Sequence, residues 1–246
     1  MGANDPGQGE QAPRGNKTFA ADLLETMQQL VASRHPDPAI AGAKHRVRVW
    51  QNRRFARTYS DLAAQPRYKA AVEFFLAELY SDADTSARDA DIARVIPTMV
   101  KFLPAPALQT IRDALAFEAL CERLDTDVAR NLGAARLTVK SYGEAFRACG
   151  QPELRRRQIE YVASIGNDLE RLTRWPMVAT TLRVMRGPAG SIGLSVLQEF
   201  LERGFNAFRR MRGAREFLAT IVERETAIVE RLFDAHPQPF DLEDES

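Results

Sequence analysis

Cysteine and histidine are both scarce in this chain of 246 residues, which has two cysteines, Cys121 and Cys149, and three histidines. A disulfide-rich scaffold and a zinc site built on paired cysteines are therefore excluded. Cys121 lies in an apolar helical pattern and Cys149 stands just before a glycine. This context favours two free thiols in a reducing compartment over a disulfide between them.

The histidines do not form a metal-binding pattern. None of His35, His45 and His236 stands three residues after a glutamate, which is the spacing used by di-iron helical bundles. Neither His45, which lies among basic residues, nor His236, which lies beside a proline, is a natural axial ligand for haem. The sequence predicts no metal and no cofactor.

Long apolar runs are also missing, since no window approaches the roughly 18 apolar residues of a membrane-spanning helix. The first residues have neither the basic start nor the apolar stretch of a secretory signal. We therefore predict a cytoplasmic protein that does not contact the membrane.

Catalytic signatures are absent in the same way. There is no Gly-x-Ser-x-Gly nucleophile motif. The glycines at 187, 190 and 193 lack the preceding strand and following lysine of a phosphate-binding loop. We interpret Gly187-Pro188-Ala189-Gly190 as a helix breaker, and the sequence leaves open whether the protein is an enzyme.

The composition is that of an ordinary globular protein, with 45% hydrophobic and 27% charged residues. A net charge of +1 does not by itself indicate a nucleic-acid partner.

Apolar residues recur at helical spacing along most of the chain, and no segment shows the alternation of a strand. We predict an all-α, single-domain bundle of roughly eight to ten helices over residues 17–236. Residues 1–16 are expected to be disordered and residues 237–246 to form a mobile acidic tail. The segments expected to be helical are 18–33, 38–59, 68–80, 86–103, 107–124, 125–131, 138–148, 151–174, 177–185, a helix after the glycines, and 214–235.

The stretch Tyr68–Leu103 is expected to be the centre against which the other helices pack. It holds two amphipathic segments, and Pro97 either bends the second or begins a new helix. A cluster of polar side chains at the join between the segments is a candidate ligand site. Its members are Tyr80, Arg88, Asp89, Asp91 and Arg94. The alternative is a helix cap with ion pairs that fix the turn.

The most uneven charge in the chain is a run of six bases between Asp37 and Asp61. The run consists of Lys44, Arg46, Arg48, Arg53, Arg54 and Arg57. Together with Trp50, Phe55 and Tyr59, these bases are a candidate surface for nucleic acid or another anionic partner. In the alternative, the helix is exposed, pairs with acids elsewhere and turns its aromatic side chains to the core.

The segment Phe74-Phe75-Leu76-Ala77-Glu78-Leu79-Tyr80, followed by Arg88-Asp89-Ala90-Asp91 and Arg94, resembles the FFLEELY motif family of uncharacterised bacterial proteins. Ala77 stands where the motif has its first glutamate. The resemblance extends through Leu124-Asp125, Phe200 to Phe205 and Arg224-Glu225, and so covers most of residues 65–235. It implies a bacterial intracellular protein and carries no established reaction or ligand.

These observations favour a non-catalytic protein-interaction or regulatory module that binds a protein partner or a second copy of itself through its helix surfaces. Two alternatives remain open. One is a small-ligand sensor or enzyme with a polar site near Tyr80, Arg88 and Asp89, and the other is binding of an anionic partner by the basic helix.

Overall fold

The computed structural model describes residues 14–34, 37–78, 86–191 and 195–240. Within these ranges the chain forms eleven α-helices and no strand, which confirms the all-α prediction. The helices are α1 (Arg14–Arg34), α2 (Pro38–Thr58), α3 (Ser60–Ala63), α4 (Pro66–Glu78), α5 (Ser86–Phe102), α6 (Ala105–Leu132), α7 (Val139–Cys149), α8 (Pro152–Thr173), α9 (Pro176–Ser191), α10 (Ser195–Met211) and α11 (Arg215–Phe233).

Local sequence signals account for several helix ends. The Asp37 side chain accepts a hydrogen bond from the Ala39 amide at 2.9 Å, and Pro38 occupies the first position of α2. Thr138 and Ser141 form a reciprocal capping box at the start of α7. Gly150 ends that helix with a φ of 59°, a left-handed conformation that a glycine adopts without steric cost.

The hydrophobic core consists of three clusters of buried side chains. The first joins α2, α3, α4, α10 and α11, and the second joins α2, α6, α7 and α11. The third joins α1, α5, α6 and α10. Phe200 of α10 packs against both the first and the third cluster and so connects them.

The central helix is α6, which packs on α1, α2, α5, α7 and α8. The prediction that the Tyr68–Leu103 helix pair forms the centre is wrong, because α4 belongs to the first cluster and α5 to the third. The longest helix has the largest surface on which other helices can pack, and α6 has 28 residues.

Two predicted helix boundaries differ from the structure, and the structure decides a third, at Pro97, where the sequence left two alternatives open. The segments 107–124 and 125–131 are one helix, α6, in which the Thr126 hydroxyl donates to the Glu122 carbonyl at 2.7 Å. Gly187-Pro188-Ala189-Gly190 does not break the helix, because α9 continues through it to Ser191. Pro97 lies inside α5 and does not begin a new helix.

The chain ends also differ from the prediction. Residues 1–13 and 241–246 lie outside the described ranges, but Arg14 to Asn16 already belong to α1. Phe240 lies beyond the predicted boundary at residue 236, yet it is buried in the second cluster. The packed part of the chain therefore extends to residue 240.

No helix in the described ranges is both long enough and apolar enough to cross a membrane.

Candidate functional site

The predicted ligand cluster at the join of α4 and α5 is only partly placed by the structure. Tyr80 lies outside the described residues, as do the side chains of Arg88 and Asp89. Asp91 is buried, and one of its carboxylate oxygens lies 3.3 Å from a guanidinium nitrogen of the exposed Arg94. This contact is the i, i+3 pair that the helical spacing predicts. Ligand binding by the cluster stays a prediction.

Half of the six bases on α2 face the protein interior. The buried Lys44 places its ammonium nitrogen 2.7 Å from Glu122 Oε2, and Arg48 contacts Oε1 of the same carboxylate at 2.6 Å. The Lys44 ammonium also donates to the Ser33 carbonyl at 3.2 Å. Glu122 is itself buried, so one carboxylate within the protein is shared by two cations.

The third inward-facing base is Arg54, which pairs with Glu225 of α11. The Tyr59 hydroxyl donates to the same Glu225 oxygen at 2.7 Å. The Arg54 Nε donates to Gln51 Oε1 at 3.1 Å, and the Gln51 amide nitrogen donates to the Tyr142 hydroxyl oxygen. This chain of contacts links α2 to both α7 and α11.

The remaining three bases of α2 are exposed. Arg46 donates to the Gly133 carbonyl at 2.8 Å, while Arg53 and Arg57 lie on the protein surface. The six bases therefore do not form one outward surface, because Lys44 and Arg54 are buried and Arg48 pairs with Glu122. Anionic-partner binding by the exposed three stays a prediction.

The aromatic side chains of this region pack inward. Trp50 stacks on Tyr142 with ring centroids 4.5 Å apart, and the edge of Phe240 completes the group at 5.3 Å from Trp50. Burial raises the pKa of the Tyr142 hydroxyl to about 12. Trp50 is partly buried and packs against the second core cluster, as in the alternative in which the aromatic side chains of α2 turn to the core.

A third buried cation, Arg155 of α8, also belongs to this region. Its guanidinium stacks on Phe146 with the carbon 4.4 Å from the ring centroid, and Nη1 donates to Gln158 Oε1 at 3.3 Å. The Arg155 Nη2 has no hydrogen-bond partner within the described residues. Burial raises the pKa of the nearby Asp125 carboxyl, and the positive charge of Arg155 opposes that rise.

Both cysteines are free thiols next to this region. Burial raises the pKa of Cys121, whose sulfur accepts a hydrogen bond from Gln158 Nε2 at 3.0 Å. Burial also raises the pKa of Cys149, whose sulfur donates to the Ala145 carbonyl. A raised pKa keeps both sulfurs protonated at neutral pH, so neither is an activated nucleophile.

We call this polar region the buried charge network, and define it as Lys44, Arg48, Gln51, Arg54, Glu122, Asp125, Tyr142, Arg155 and Glu225. Sequence reasoning missed its acidic members, which come from α6 and α11. One signal was available: Lys44 and Val47 lie three residues apart on α2, so a base shares the helix face of an apolar residue. Within the network Lys44 and Arg48 pair with Glu122 and Arg54 pairs with Glu225. Its members come from five helices, so we interpret these contacts as structural.

The surface that stands out is the outer face of α9. Exposed large hydrophobic side chains are few in the described part of the chain, namely Val31, Trp175, Met177 and Val184. Three of these four lie on α9 or immediately before it, with Met177 56% and Val184 65% exposed. Met177 and Val184 are two helical turns apart and therefore lie on the same face. We call Met177 and Val184 the α9 patch; Trp175 immediately precedes the helix.

The opposite side of α9 is fixed to the protein. The helix packs on α10 and α8. Arg186 forms two contacts with the Glu202 carboxylate at 3.0 and 2.6 Å, and the Gln198 amide donates to the Leu182 carbonyl at 2.6 Å. The pairing with Arg186 lowers the pKa of Glu202. The α9 patch is therefore presented on a helix that α10 holds in place.

Among the residues that the structure describes, no group of three or more histidine, cysteine, aspartate or glutamate side chains could hold a metal ion.

One family model matches the chain, over residues 23–239, and its description is "Domain of unknown function (DUF8198)". The match covers nearly all of the helical region, from α1 to the last residues before Phe240. No curated protein and no solved structure matches the chain.

Proposed function

We propose that this chain, which belongs to the DUF8198 family, is a non-catalytic protein-interaction module that binds another protein through the α9 patch. The observation that carries the proposal is the exposure of Met177 and Val184 on one face of α9. Apolar surface removed from water contributes roughly 25 cal/mol per Å², so a partner gains binding free energy by covering these side chains. Clustered apolar exposure is a typical mark of an interaction surface.

The charge of α9 supports a particular kind of partner. The helix contains Arg183 and Arg186 and no acidic residue. Arg186 is paired with Glu202, but Arg183 is exposed beside Val184, and a two-fold dimer through this face would bring the Arg183 side chains of both copies close to one another, which is unfavourable. The partner is therefore a different protein, with an apolar surface that is rimmed by carboxylates.

The test is partner capture from lysate by the parent chain and by the double variant M177E/V184E. Two new negative charges on the α9 patch should reduce the recovery of a bound protein by about tenfold or more, because charged side chains are disfavoured at an interface core. Both side chains are exposed, so the double variant should retain the unfolding free energy of the parent within about 1 kcal/mol.

The control is V31E, which places one negative charge on an exposed apolar residue of α1. Loss of the partner in M177E/V184E with retention in V31E supports the proposal. Equal recovery by all three proteins contradicts it. Light scattering after size exclusion gives a second readout. If the parent chain is a dimer and M177E/V184E is a monomer, the patch mediates self-association and not binding of a different protein, which contradicts the proposal.

The cytoplasmic and bacterial setting belongs to the same proposal. Two unpaired thiols, Cys121 and Cys149, support a reducing compartment. Cell fractionation with an antibody against the chain tests this location, and recovery in the membrane or secreted fraction would contradict it.

A further inference from the structure

A shallow groove between α4 and α10 has a chemistry that the protein-interaction proposal does not use. It encloses a cavity of about 270 Å³. From α4 it is lined by Ala70, Glu73 and Phe74, and from α10 by Arg203, Asn206 and Arg210. The volume lies just below the range of roughly 300–1,000 Å³ that is usual for small-molecule sites.

The α10 wall of the groove is cationic. Arg203 and Arg210 are two helical turns apart with Asn206 between them, so all three side chains lie on one face of α10. The acid on the opposite wall, Glu73, lies 3.8 Å from the Lys69 ammonium on its own helix. Among the described side chains of the groove and its rim, Lys69, Arg203 and Arg210 are basic and Glu73 is acidic.

The floor of the groove is apolar and closely packed. The Phe74 ring is 8% exposed and lies between Phe75 and Phe200, with ring centroids 6.1 and 5.4 Å away. A Cβ atom at Gly204 would lie 2.9 Å from Cζ of Phe74, so only a glycine lets α10 pass this close to the ring. The small side chains of Ala70 and Ala207 leave room above the ring.

We propose that this groove binds a small organic anion, with its carboxylate or phosphate group held by Arg203 and Arg210 and its apolar part lying on Phe74. Each guanidinium offers five N–H donors in a planar fork that matches the oxygens of either group. The Asn206 amide, which both donates and accepts, fixes the orientation of the ligand. A neutral compound of the same shape cannot form charge-assisted hydrogen bonds with the two arginines and should therefore bind more weakly.

The experiment titrates the full chain at low salt with four probes: phenyl phosphate, benzoate, inorganic phosphate and benzyl alcohol. Binding is followed by the NMR signals of the Asn206 side-chain amide and of the backbone amides of Ala70 and Ala207. We expect saturable shifts with phenyl phosphate or benzoate, weaker binding of inorganic phosphate and none of benzyl alcohol.

The variant R203Q/R210Q should weaken binding of phenyl phosphate by about tenfold or more, because two charge-assisted contacts are lost. The control is R209Q, which removes one positive charge, against two in R203Q/R210Q, from an exposed arginine of α10 that does not line the groove. We expect R209Q to change the affinity by less than about threefold. A third variant, F74L, keeps every charge and should reduce the preference for phenyl phosphate over inorganic phosphate.

Three results would overturn the proposal. The first is that none of the anions gives saturable shifts at about 10 mM, a weak affinity even for a small fragment. The second is equal weakening by R209Q and R203Q/R210Q, which would indicate general attraction to a cationic surface. The third is a set of shifts that maps away from α4 and α10. None of these readouts depends on the α9 patch, so the two proposals fail independently.

Discussion

Glu122 is a single carboxylate that balances two cations inside the protein. Its oxygens lie 2.7 Å from the Lys44 ammonium and 2.6 Å from Arg48, and both Lys44 and Glu122 are almost fully withdrawn from solvent. A buried ion of this kind is tolerated because its partner compensates for the lost hydration. The contribution of each charge to stability therefore depends on the presence of the other.

The substitution E122Q tests this dependence. It leaves the Lys44 ammonium buried without a counter-charge, and we expect the free energy of unfolding to fall by about 3–5 kcal/mol. The measurement is urea denaturation followed by circular dichroism. E223Q, at an exposed glutamate of α11, is the control and should change stability by no more than about 0.5 kcal/mol.

The double variant K44M/E122Q separates charge from packing. Methionine is close to the lysine stem in shape and carries no charge, so the double variant should recover much of the stability that E122Q loses. A parent-like unfolding free energy for E122Q alone would show that Lys44 reaches water when its partner is removed.

The direction of the α2 side chains is what sequence reasoning could not predict. The periodicity of Val47 and Phe55 was enough to predict a helix with one buried face. Whether Lys44 and Arg54 join that face depends on acids that approach from α6 and α11, and Arg48 is separated from Glu122 by 74 residues. The sequence shows that bases and acids are both present, but pairing across such distances is a property of the folded chain.

At the scale of helices, two close crossings depend on glycines. At Gly204 the constraint is the Phe74 ring, and at Gly166 it is the Leu218 side chain of α11. A Cβ atom at Gly166 would lie 2.8 Å from Leu218 Cδ1 and 3.1 Å from its Cγ. Leu218 is buried in the first cluster and has little space into which it can move.

We therefore expect G166A to lower the free energy of unfolding by about 1–3 kcal/mol, as overpacking does in a close-packed core. The matched control is G42A on α2, where the nearest side-chain atom would be 4.0 Å from the new Cβ. There the helix preference of alanine should raise stability by up to about 1 kcal/mol. Thermal or urea unfolding of both variants gives the comparison.

The cause of the G166A effect is checked in the background L218A. If Leu218 is what the new methyl group meets, G166A should cost clearly less in that background than in the parent chain. If G166A lowers the free energy of unfolding equally in both backgrounds, the strain arises from a contact other than Leu218.

Helix existence was easier to predict than helix ends. The apolar periodicity located most of the eleven helices, because each buries one face regardless of its partner. The errors fall where local and tertiary preferences compete. Asp125 and Thr126 favour a helix end, but α6, which packs against five other helices, continues through them. At α9 the helix likewise continues through Gly187 and Gly190.

Across the whole molecule, Phe240 connects the C-terminal segment to the core. Its ring is 4% exposed and lies 5.9 Å from Tyr142 and 5.7 Å from the Arg54 guanidinium. Composition alone indicated an acidic tail after residue 236, since one aromatic among prolines and acids shows no periodicity. The burial of Phe240 follows from the space left beside Trp50 when α2 and α7 meet.

The substitution F240A should therefore lower the free energy of unfolding by about 3 kcal/mol or more, the usual cost of removing a buried phenyl ring. Q238A, two residues earlier and exposed, should change it by less than about 0.5 kcal/mol. Urea titrations monitored by the fluorescence of the two tryptophans, Trp50 and Trp175, give the comparison. If F240A were as stable as Q238A, the C-terminal segment would contribute no packing energy.

Because Glu122 is shared by Lys44 and Arg48, we expect these charged residues to be lost in a particular order during evolution. In a lineage that neutralises Lys44 first, Arg48 still pairs with Glu122, so the intermediate protein loses little stability. A lineage that neutralises Glu122 first leaves the Lys44 ammonium buried without a counter-charge, so its intermediate protein loses much more stability. Homologues that lack all three charges should therefore have lost Lys44 before Glu122. Ancestral sequences reconstructed at that branch should contain Glu122 and a neutral residue at position 44.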